Sequence, residues 1–142
     1  MTVAHILEGR DFAVISCESQ STVREAARLL AEKRIGALPV TEDGKVVGIF
    51  SERDVIYQLS SGGDAILEKP VCDVMTSPAV TVTPDTSALA ALSLMTKRRI
   101  RHLPVLKGEE MVGFVSIGDL VKYRIDRIEA EAEAMRSYIQ TA

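Results

Sequence analysis

The sequence is poor in residues that many functional sites need. It has no tryptophan, three tyrosines, three phenylalanines and two cysteines in 142 residues. Cys17 and Cys72 lie outside any Cys-x-x-Cys pattern, and His5 and His102 have no partner at metal-ligand spacing. These absences argue against a metal or redox centre, so we expect free thiols that are buried or half exposed.

A surplus of positive charge is also missing. The chain has 17 Lys and Arg against 20 Asp and Glu, for a net charge of -3. Nucleic-acid-binding proteins neutralise phosphates with a basic surface, and single-strand binders add aromatic side chains for stacking. We therefore expect no nucleic-acid partner. In the basic run 97–102, residues 97–99 are interpreted as solvated charges at a helix end, with contact to a ligand phosphate as the alternative.

Long apolar runs are absent too. No segment approaches the roughly 18 apolar residues of a membrane span, and residues 1–12 lack the basic start and apolar core of a signal peptide. With 46% hydrophobic residues, the chain can still bury an ordinary core. We expect a soluble cytoplasmic protein that does not insert into membranes.

What the sequence does contain is an internal repeat. RIGALPV at 34–40 is similar to RIRHLPV at 99–105, and GIFSERD at 48–54 is similar to GFVSIGD at 113–119. Both pairs are 65 residues apart, so no insertion separates the two motifs within either copy. A gapless repeat of this size indicates one supersecondary unit used twice.

Each copy is preceded by a similar leading segment. VAHIL at 3–7 matches VCDVM at 71–75, but these two segments are 68 residues apart. The first copy is therefore predicted to carry three extra residues around 9–12.

The pattern of each copy predicts a β-α-β-β-α unit. In the first copy we predict a strand at 14–17, a helix opening at Thr22 with a Thr22-x-x-Glu25 capping box, strands at 36–41 and 45–50, and a helix from Ser51. In the second we predict a strand at 79–82, a helix from Asp85 or Thr86 to about Arg98, a hairpin turning at 107–110, and a helix from Ser116. The run 60–63, rich in Ser and Gly, is predicted to be a flexible junction.

These motifs resemble a tandem pair of CBS domains, also called a Bateman module. The resemblance rests on two Leu-Pro-Val strands and two Gly-h-x-Ser-x-x-Asp turns at constant spacing, and it covers about residues 3–125. It implies an α/β (mixed α+β) fold in which two β-α-β-β-α units pack sheet to sheet with pseudo-twofold symmetry. We assign the first motif with its leading segment to 1–64, the second to 65–125, and a long C-terminal helix to 117–140.

The resemblance also implies a function. The clefts between CBS motifs commonly bind adenosine-containing ligands, so we expect AMP first, with ADP, ATP or NAD as alternatives and S-adenosylmethionine as a further one. No catalytic triad, paired carboxylates, P-loop or metal cluster is evident, so no enzyme activity, catalytic cofactor or metal is expected. Such modules usually regulate an attached enzyme, channel or transporter. No such domain is evident here, so the resemblance implies a sensor of energy or redox state acting on an unknown partner.

The first of the two clefts is expected to be the stronger site. The first copy would supply the adenine pocket through small residues and apolar cover, while the second would supply ribose and phosphate ligands. The residues assigned to this cleft are Val14, Ile35, Gly36, Ala37, Arg101, His102, Ser116 and Asp119. His102 also has a purely structural alternative.

The second cleft is expected to be empty, weak, or used by the distal part of a larger ligand such as NAD. Its phosphate positions are filled by uncharged Gly36 and Ala37, and its adenine edge would meet Arg101. The residues assigned to it are Ser51, Arg53, Asp54, Val80, Thr81 and Ile100.

The two Ser-x-x-Asp quartets, Ser51 to Asp54 and Ser116 to Asp119, have two interpretations. A serine and an acid at these positions cap a helix. Both copies use Asp rather than the longer Glu or Gln of a capping box, and a short carboxylate at a helix start can accept hydrogen bonds from ribose hydroxyls. The resemblance favours the ribose role for Asp119.

The C-terminal stretch has apolar residues every three or four positions, which predicts a long amphipathic helix. The stripe consists of Val121, Ile125, Ile128, Ala132, Met135 and Ile139. It is too long for one small sheet to cover, so we expect a homodimer that uses it. A ligand-free dimeric scaffold is the alternative to the nucleotide sensor.

Overall fold

The computed structural model describes residues 2–8 and 14–141. The predicted extra residues at 9–12 lie in the gap between these ranges and are outside the described part. In chain order the elements are α1 (Val3–Leu7), β1 (Cys17–Glu18), α2 (Val23–Lys33), β2 (Ala37–Glu42), β3 (Lys45–Ser51), α3 (Glu52–Gly62), two 3-10 segments (Gly63–Glu68 and Val71–Asp73), α4 (Ala88–Arg98), β4 (His102–Lys107), β5 (Glu110–Ser116) and α5 (Ile117–Thr141).

The two hairpins have the same register in both repeats. Leu38 pairs with Phe50 in the first, and Leu103 pairs with Val115 in the second; a register shift follows Val40 in one and Val105 in the other. Inward-facing aliphatic side chains alternate along these strands and fill two cores. The prediction of two hairpins is confirmed, and the mixed α/β units pack sheet to sheet through contacts between β3 and β5.

The first strand of each unit is shorter than predicted. The strand predicted at 14–17 begins at Cys17, which pairs parallel with Val40. In the second unit, the segment predicted at 79–82 is no strand and forms a single parallel bridge between Val82 and Val105. That bridge has two backbone hydrogen bonds, and the chain then turns at Thr83, so pairing stops after one residue.

Helix starts follow the capping chemistry of the sequence. The Thr22 hydroxyl accepts from the Glu25 amide at 3.1 Å, and the Ser87 hydroxyl accepts from the Ala90 amide at 3.0 Å. Because Ser87 is the N-cap, α4 begins at Ala88, slightly later than predicted. α2 and α4 both end on an arginine with left-handed backbone, Arg34 (φ 54°) and Arg99 (φ 55°).

The prediction of a flexible junction at 60–63 is wrong. α3 continues to Gly62, and Gly63, with φ 65°, ends it and starts a 3-10 segment. This segment carries Ile66, which is 2% exposed, into the first core. Burial of one large side chain therefore overrides the turn propensity of the Ser-Gly run.

The leading segments are exchanged between the repeats. Val3 of α1 is fully buried in the core of the second repeat, beside residues such as Leu103 and Val115. Val71 and Val74, which precede the second repeat, are buried in the core of the first. Each core is thus completed by the segment that leads into the other repeat.

Two glycines allow this exchange. A Cβ on Gly48 would lie 2.6 Å from Sδ of Met75 and 2.9 Å from the carbonyl oxygen of Thr76, while a Cβ on Gly113 would lie 2.7 Å from Leu7. Gly48 and Gly113 are 65 residues apart, and Leu7 and Met75 are 68 apart. The same close approach therefore occurs in both halves, at the glycine that begins the Gly-h-x-Ser-x-x-Asp motif.

The second half of α5 leaves the body of the protein. Leu120 is fully buried and Tyr123 is partly buried, whereas every described residue from Arg124 to Thr141 is exposed. The predicted stripe is helical and open to solvent, with Ile125 49% and Ile139 66% exposed. No helix among residues 2–8 and 14–141 is long and apolar enough to cross a membrane.

Candidate functional site

A cleft of about 630 Å³ lies between the two repeats. Its volume falls within the range of small-molecule sites, roughly 300–1,000 Å³. The walls are mostly apolar, and hydroxyl, carboxylate and imidazole groups are grouped on the side of the second repeat. The lining residues are Leu7, Val14, Ile15, Arg34, Ile35, Gly36, Ala37, His102, Val112, Gly113, Phe114, Ser116 and Asp119.

The structure brings together every residue assigned to this first cleft except Arg101. Arg101 and His102 are consecutive where the chain enters β4, so their side chains diverge. His102 lines the first cleft, while Arg101 lines the second. Arg34, Val112 and Phe114 were not assigned from the sequence. Side chains alternate between the two faces of β5, so Val112 and Phe114 lie on the same face as Ser116. This alternation could have identified both residues from the sequence.

A second, smaller cleft of about 180 Å³ lies on the other side of the same seam. It gathers Ser51, Arg53, Asp54, Val80 and Ile100 as assigned, but Thr81 is exposed and is not among its lining residues. The other lining residues are Gly36, Ala37, Ile49, Glu52, Thr76, Pro78, Ala79, Arg99, Arg101 and His102. The two clefts therefore share a wall formed by Gly36, Ala37 and His102.

Both Ser-x-x-Asp quartets cap helices. Asp54 Oδ2 accepts from the Ser51 amide at 2.8 Å, and the Asp54 amide donates to the Ser51 hydroxyl at 3.3 Å. In the second repeat, the corresponding distances between Ser116 and Asp119 are 2.8 Å and 3.1 Å. A carboxylate offers about four acceptor positions, so the capping bonds leave acceptor capacity for a ligand.

His102 sits in the shared wall. Its ring stacks on Phe114 with a centroid distance of 5.5 Å and an interplanar angle of 14°. Burial lowers the pKa of His102 below its usual value; the carboxylates of Asp119 and Glu52 oppose that shift, and Arg101 adds to it. The imidazole is therefore poised to gain a proton when an anion arrives beside it.

Asp54 is partly buried in the lining of the second cleft. Burial raises the pKa of Asp54 above its usual value, and hydrogen bonds from Ser51 and Thr76, with the charge of Arg53, oppose the shift. The Thr76 hydroxyl donates to Asp54 Oδ1 at 3.5 Å. Both oxygens of this carboxylate thus have a protein partner.

Comparison with known proteins identifies the fold. A family model for the CBS domain matches residues 10–61 and 71–126. The chain is 34% identical to the mitochondrial CBS domain-containing protein CBSX3 of Arabidopsis thaliana, over 98% of this chain and 72% of that protein. The chain therefore belongs to the CBS domain family. Its two CBS domains form a tandem pair, which confirms the resemblance seen in the sequence.

Solved structures agree with this assignment. The CBS-domain containing protein ATU1752 from Agrobacterium tumefaciens superposes with a TM-score of 0.83 at 34% identity, covering 87% of this chain and 99% of that one. The CBS domain pair of protein MJ0100 has a TM-score of 0.78 at 26% identity, covering 89% and 98% of the two chains. That pair was solved in complex with 5'-methylthioadenosine and S-adenosyl-L-methionine.

The CBS pair has no evident metal centre in its described part. Residues 2–8 and 14–141 contain no group of three His, Cys, Asp or Glu side chains placed to hold an ion. Cys17 and Cys72 are free and partly exposed, and burial raises the pKa of Cys17 to about 11. A thiol with so high a pKa is a poor nucleophile at neutral pH.

Proposed function

We propose that this CBS pair is a non-catalytic regulatory module that binds an adenosine-containing nucleotide in its first cleft. The observation that carries the proposal is the composition of that cleft: a 630 Å³ cavity with apolar walls and, on one side, Ser116, Asp119 and His102. A flat base needs apolar cover, and a ribose phosphate needs acceptors and a cation. The apolar walls meet the first requirement, Ser116 and Asp119 supply the acceptors, and His102 becomes a cation when it gains a proton.

Each part of the nucleotide has a group to receive it. The backbone at Gly36 and Ala37 has small side chains, so its amide and carbonyl groups can approach the edge of the adenine. Val14 and Ile35 would cover the ring. Asp119 would accept from the ribose hydroxyls, and the start of α5 would face the phosphate.

The phosphate is the reason for placing AMP first. Once protonated, His102 would pair with it, whereas it has no attraction for the sulfonium of S-adenosylmethionine. ADP, ATP and NAD satisfy the same contacts and remain alternatives. S-adenosylmethionine stays a second candidate because the related pair of protein MJ0100 binds it.

The proposal is tested by thermal-shift and calorimetric titration of AMP, ADP, ATP, NAD, NADH and S-adenosylmethionine. A ligand at about 100 times its Kd adds roughly 2.7 kcal/mol of stability if it binds the folded state alone. We expect Asp119→Ala to abolish the shift. Asp54→Ala is the matched control, because it removes the same capping bonds from the other repeat, and we expect it to reduce the shift much less.

The two variants also locate the site. A larger loss of binding in Asp54→Ala than in Asp119→Ala would move the nucleotide to the second cleft. No stabilisation by any of the six compounds would contradict the sensor proposal and favour a ligand-free scaffold.

The signal is proposed to pass through a homodimer. α5 exposes Ile125, Ile128 and Met135 along one stripe, each about half or more exposed. Exposed apolar stripes on this scale mark protein interfaces. Light scattering after size exclusion should give about twice the 15.4 kDa chain mass. A monomer at all accessible concentrations would overturn this part, and Ile128→Asp should shift a true dimer towards monomer.

A further inference from the structure

The apolar stripe of α5 follows a strict seven-residue repeat. Its members are separated alternately by four and three positions from Val121 to Ile139. If Ile125 is placed at heptad position a, the a positions are Ile125, Ala132 and Ile139, and the d positions are Val121, Ile128 and Met135. The other large hydrophobic residue between 124 and 141 is Tyr138, at position g beside the stripe. A strict a/d repeat is the narrow seam of a coiled coil rather than the broader face that packs on a globular core.

The seam faces away from the body of the protein. Leu120 and Tyr123, which hold the start of α5 against the body, are at heptad positions c and f, on the opposite side of the helix. The exposed fraction of the seam side chains ranges from 44% at Val121 to 66% at Ile139. Isolated helices of this length are marginal in water, because most helical stability comes from packing of an apolar face. A surface with the same length and the same repeat is present in a second copy of this chain.

The charges beside the seam favour a parallel pair of helices. In a parallel coiled coil, each g residue faces the e residue that lies five positions further along the partner. This rule places Arg124 opposite the partner's Glu129, and Glu131 opposite the partner's Arg136. Both contacts join opposite charges. Because the two helices are identical, each contact occurs twice, once on either side of the seam.

An antiparallel pair is disfavoured by the same charges. In that orientation e faces e and g faces g. The register with the largest overlap stacks Ile128 on the partner's Ala132, and it brings Glu129 against the partner's Glu129 and Lys122 against the partner's Arg136. Sliding the helices by one heptad removes these like-charge contacts. It also leaves either Ile125 or Ile139 beyond the end of the partner's stripe.

The charged groups are available for contacts between helices. Within residues 2–8 and 14–141, neither Arg124 nor Glu129 forms an ion pair. Glu131 and Arg136 form pairs within the helix, with Arg127 at 3.7 Å and Glu133 at 2.9 Å, and all four side chains are exposed. A carboxylate has about four acceptor positions and a guanidinium five donors, so these two residues can also serve a partner helix.

We propose that the α5 helices of two copies form a parallel, in-register, two-stranded coiled coil over residues 121–139. The a and d side chains of one helix pack against the same residues of the other, and the e and g charges set the orientation. The proposal rests on the homodimer proposed above and states how its α5 helices are arranged. It places the two CBS pairs side by side at the same end of the coiled coil.

Charge reversal tests the orientation, with the Kd of the homodimer from analytical ultracentrifugation as the readout. Arg124→Glu and Glu129→Arg should each raise this Kd about tenfold, because each puts like charges at both symmetric contacts. The double variant restores opposite charges and should return the Kd to within about threefold of wild type. An equimolar mixture of the two single variants should form a heterodimer more tightly than either forms a homodimer. Asp126→Arg is the matched control at position b, outside the seam, and should change the Kd by less than about twofold.

Disulfide formation tests the register. In a background with Cys17→Ser and Cys72→Ser, Ile139→Cys should oxidise readily to a covalent dimer, because the two thiols meet across the seam. In the antiparallel registers that stack a on d residues, these thiols lie roughly 15 Å or more apart along the axis. Ser137→Cys is the matched control, since position f points away from the partner. It should form the covalent dimer at least about tenfold more slowly.

The outcomes separate this arrangement from the homodimer itself. A dimer that is weakened by both single reversals and not restored in the double variant has antiparallel helices, which overturns the proposal. A dimer insensitive to the reversals, with no faster oxidation at residue 139 than at residue 137, uses another surface and overturns it too. A trimer by light scattering overturns the two-stranded form. In these cases self-association still stands, whereas a monomer at all accessible concentrations overturns both.

Discussion

The two clefts share a backbone framework but differ in size and charge. Each is bordered by a hairpin and a Ser-x-x-Asp capped helix of one repeat and by the end of a helix of the other repeat, and the equivalent residues are 65 positions apart. The first encloses about 630 Å³ and is lined by apolar strand residues such as Val112 and Phe114; the second encloses about 180 Å³ and is lined by three arginines. The duplication thus preserved the framework, while the lining side chains diverged.

The strongest way to test the common framework is to damage both cores at equivalent positions. Leu38 and Leu103 are 65 residues apart, and both are fully buried. Leu38→Ala and Leu103→Ala should each lower the free energy of unfolding by about 2–5 kcal/mol. Urea unfolding followed by circular dichroism measures the loss. Costs that differ by more than about 2 kcal/mol would contradict equivalent packing.

The close approaches at Gly48 and Gly113 provide a finer comparison. A Cβ on Gly48 would clash with the backbone carbonyl of Thr76, whereas a Cβ on Gly113 would meet the flexible side chain of Leu7. Side chains can move aside more easily than backbone. Gly48→Ala should therefore cost about 1–3 kcal/mol and Gly113→Ala less, as measured by chemical unfolding. A larger loss of stability in Gly113→Ala than in Gly48→Ala would show that the Leu7 side chain cannot move aside.

The smallest expected effect concerns pH. The equivalent of His102 in the first repeat is Ala37, so this titration has no counterpart there. Burial lowers the pKa of His102 from its usual 6.5, so its contribution to stability is present above that pH and is lost as pH falls through the folded-state pKa. The groups that face it are Asp119, Glu52 and Arg101.

Unfolding of wild type and His102→Gln at several pH values between about 5.5 and 7.5 isolates this effect. Wild type should lose more stability on acidification than the variant, since both retain the opposite contribution of Asp54. With AMP bound the trend should reverse, because a phosphate favours the protonated imidazole. Identical pH profiles would show that His102 does not titrate differently on folding.

Much of this fold could be predicted because its signals are local. The LPV strands, the Glu-Asp-Gly turn and the two Ser-x-x-Asp caps each follow from a few adjacent residues. The strand and cap patterns also occur in both repeats at the same spacing, so each copy supports the prediction for the other. The 65-residue register between the repeats also predicts most of the residues that line the two clefts. It does not predict on which side of the seam a side chain lies, which is why Arg101 was assigned to the first cleft.

What could not be predicted depends on contacts distant in sequence. The run 60–63 has turn propensity but continues a helix because Ile66 beyond it is buried. The strand predicted at 79–82 stops at one bridge because the next residues turn to meet α1, where the Ala4 amide donates to the carbonyl of Pro84. Neither contact can be predicted from the spacing of apolar residues in the segment itself. The same applies to the exchange of the leading segments.

That exchange bears on how such a protein arises. A chain ending near residue 64 would carry Val3 with no second core to receive it, and its own core would lack Ile66, Val71 and Val74. Such a half-chain could close its core only by trading leading segments with another copy of itself. Within one polypeptide the two halves are therefore mutually dependent, because neither core is complete without the leading segment of the other repeat.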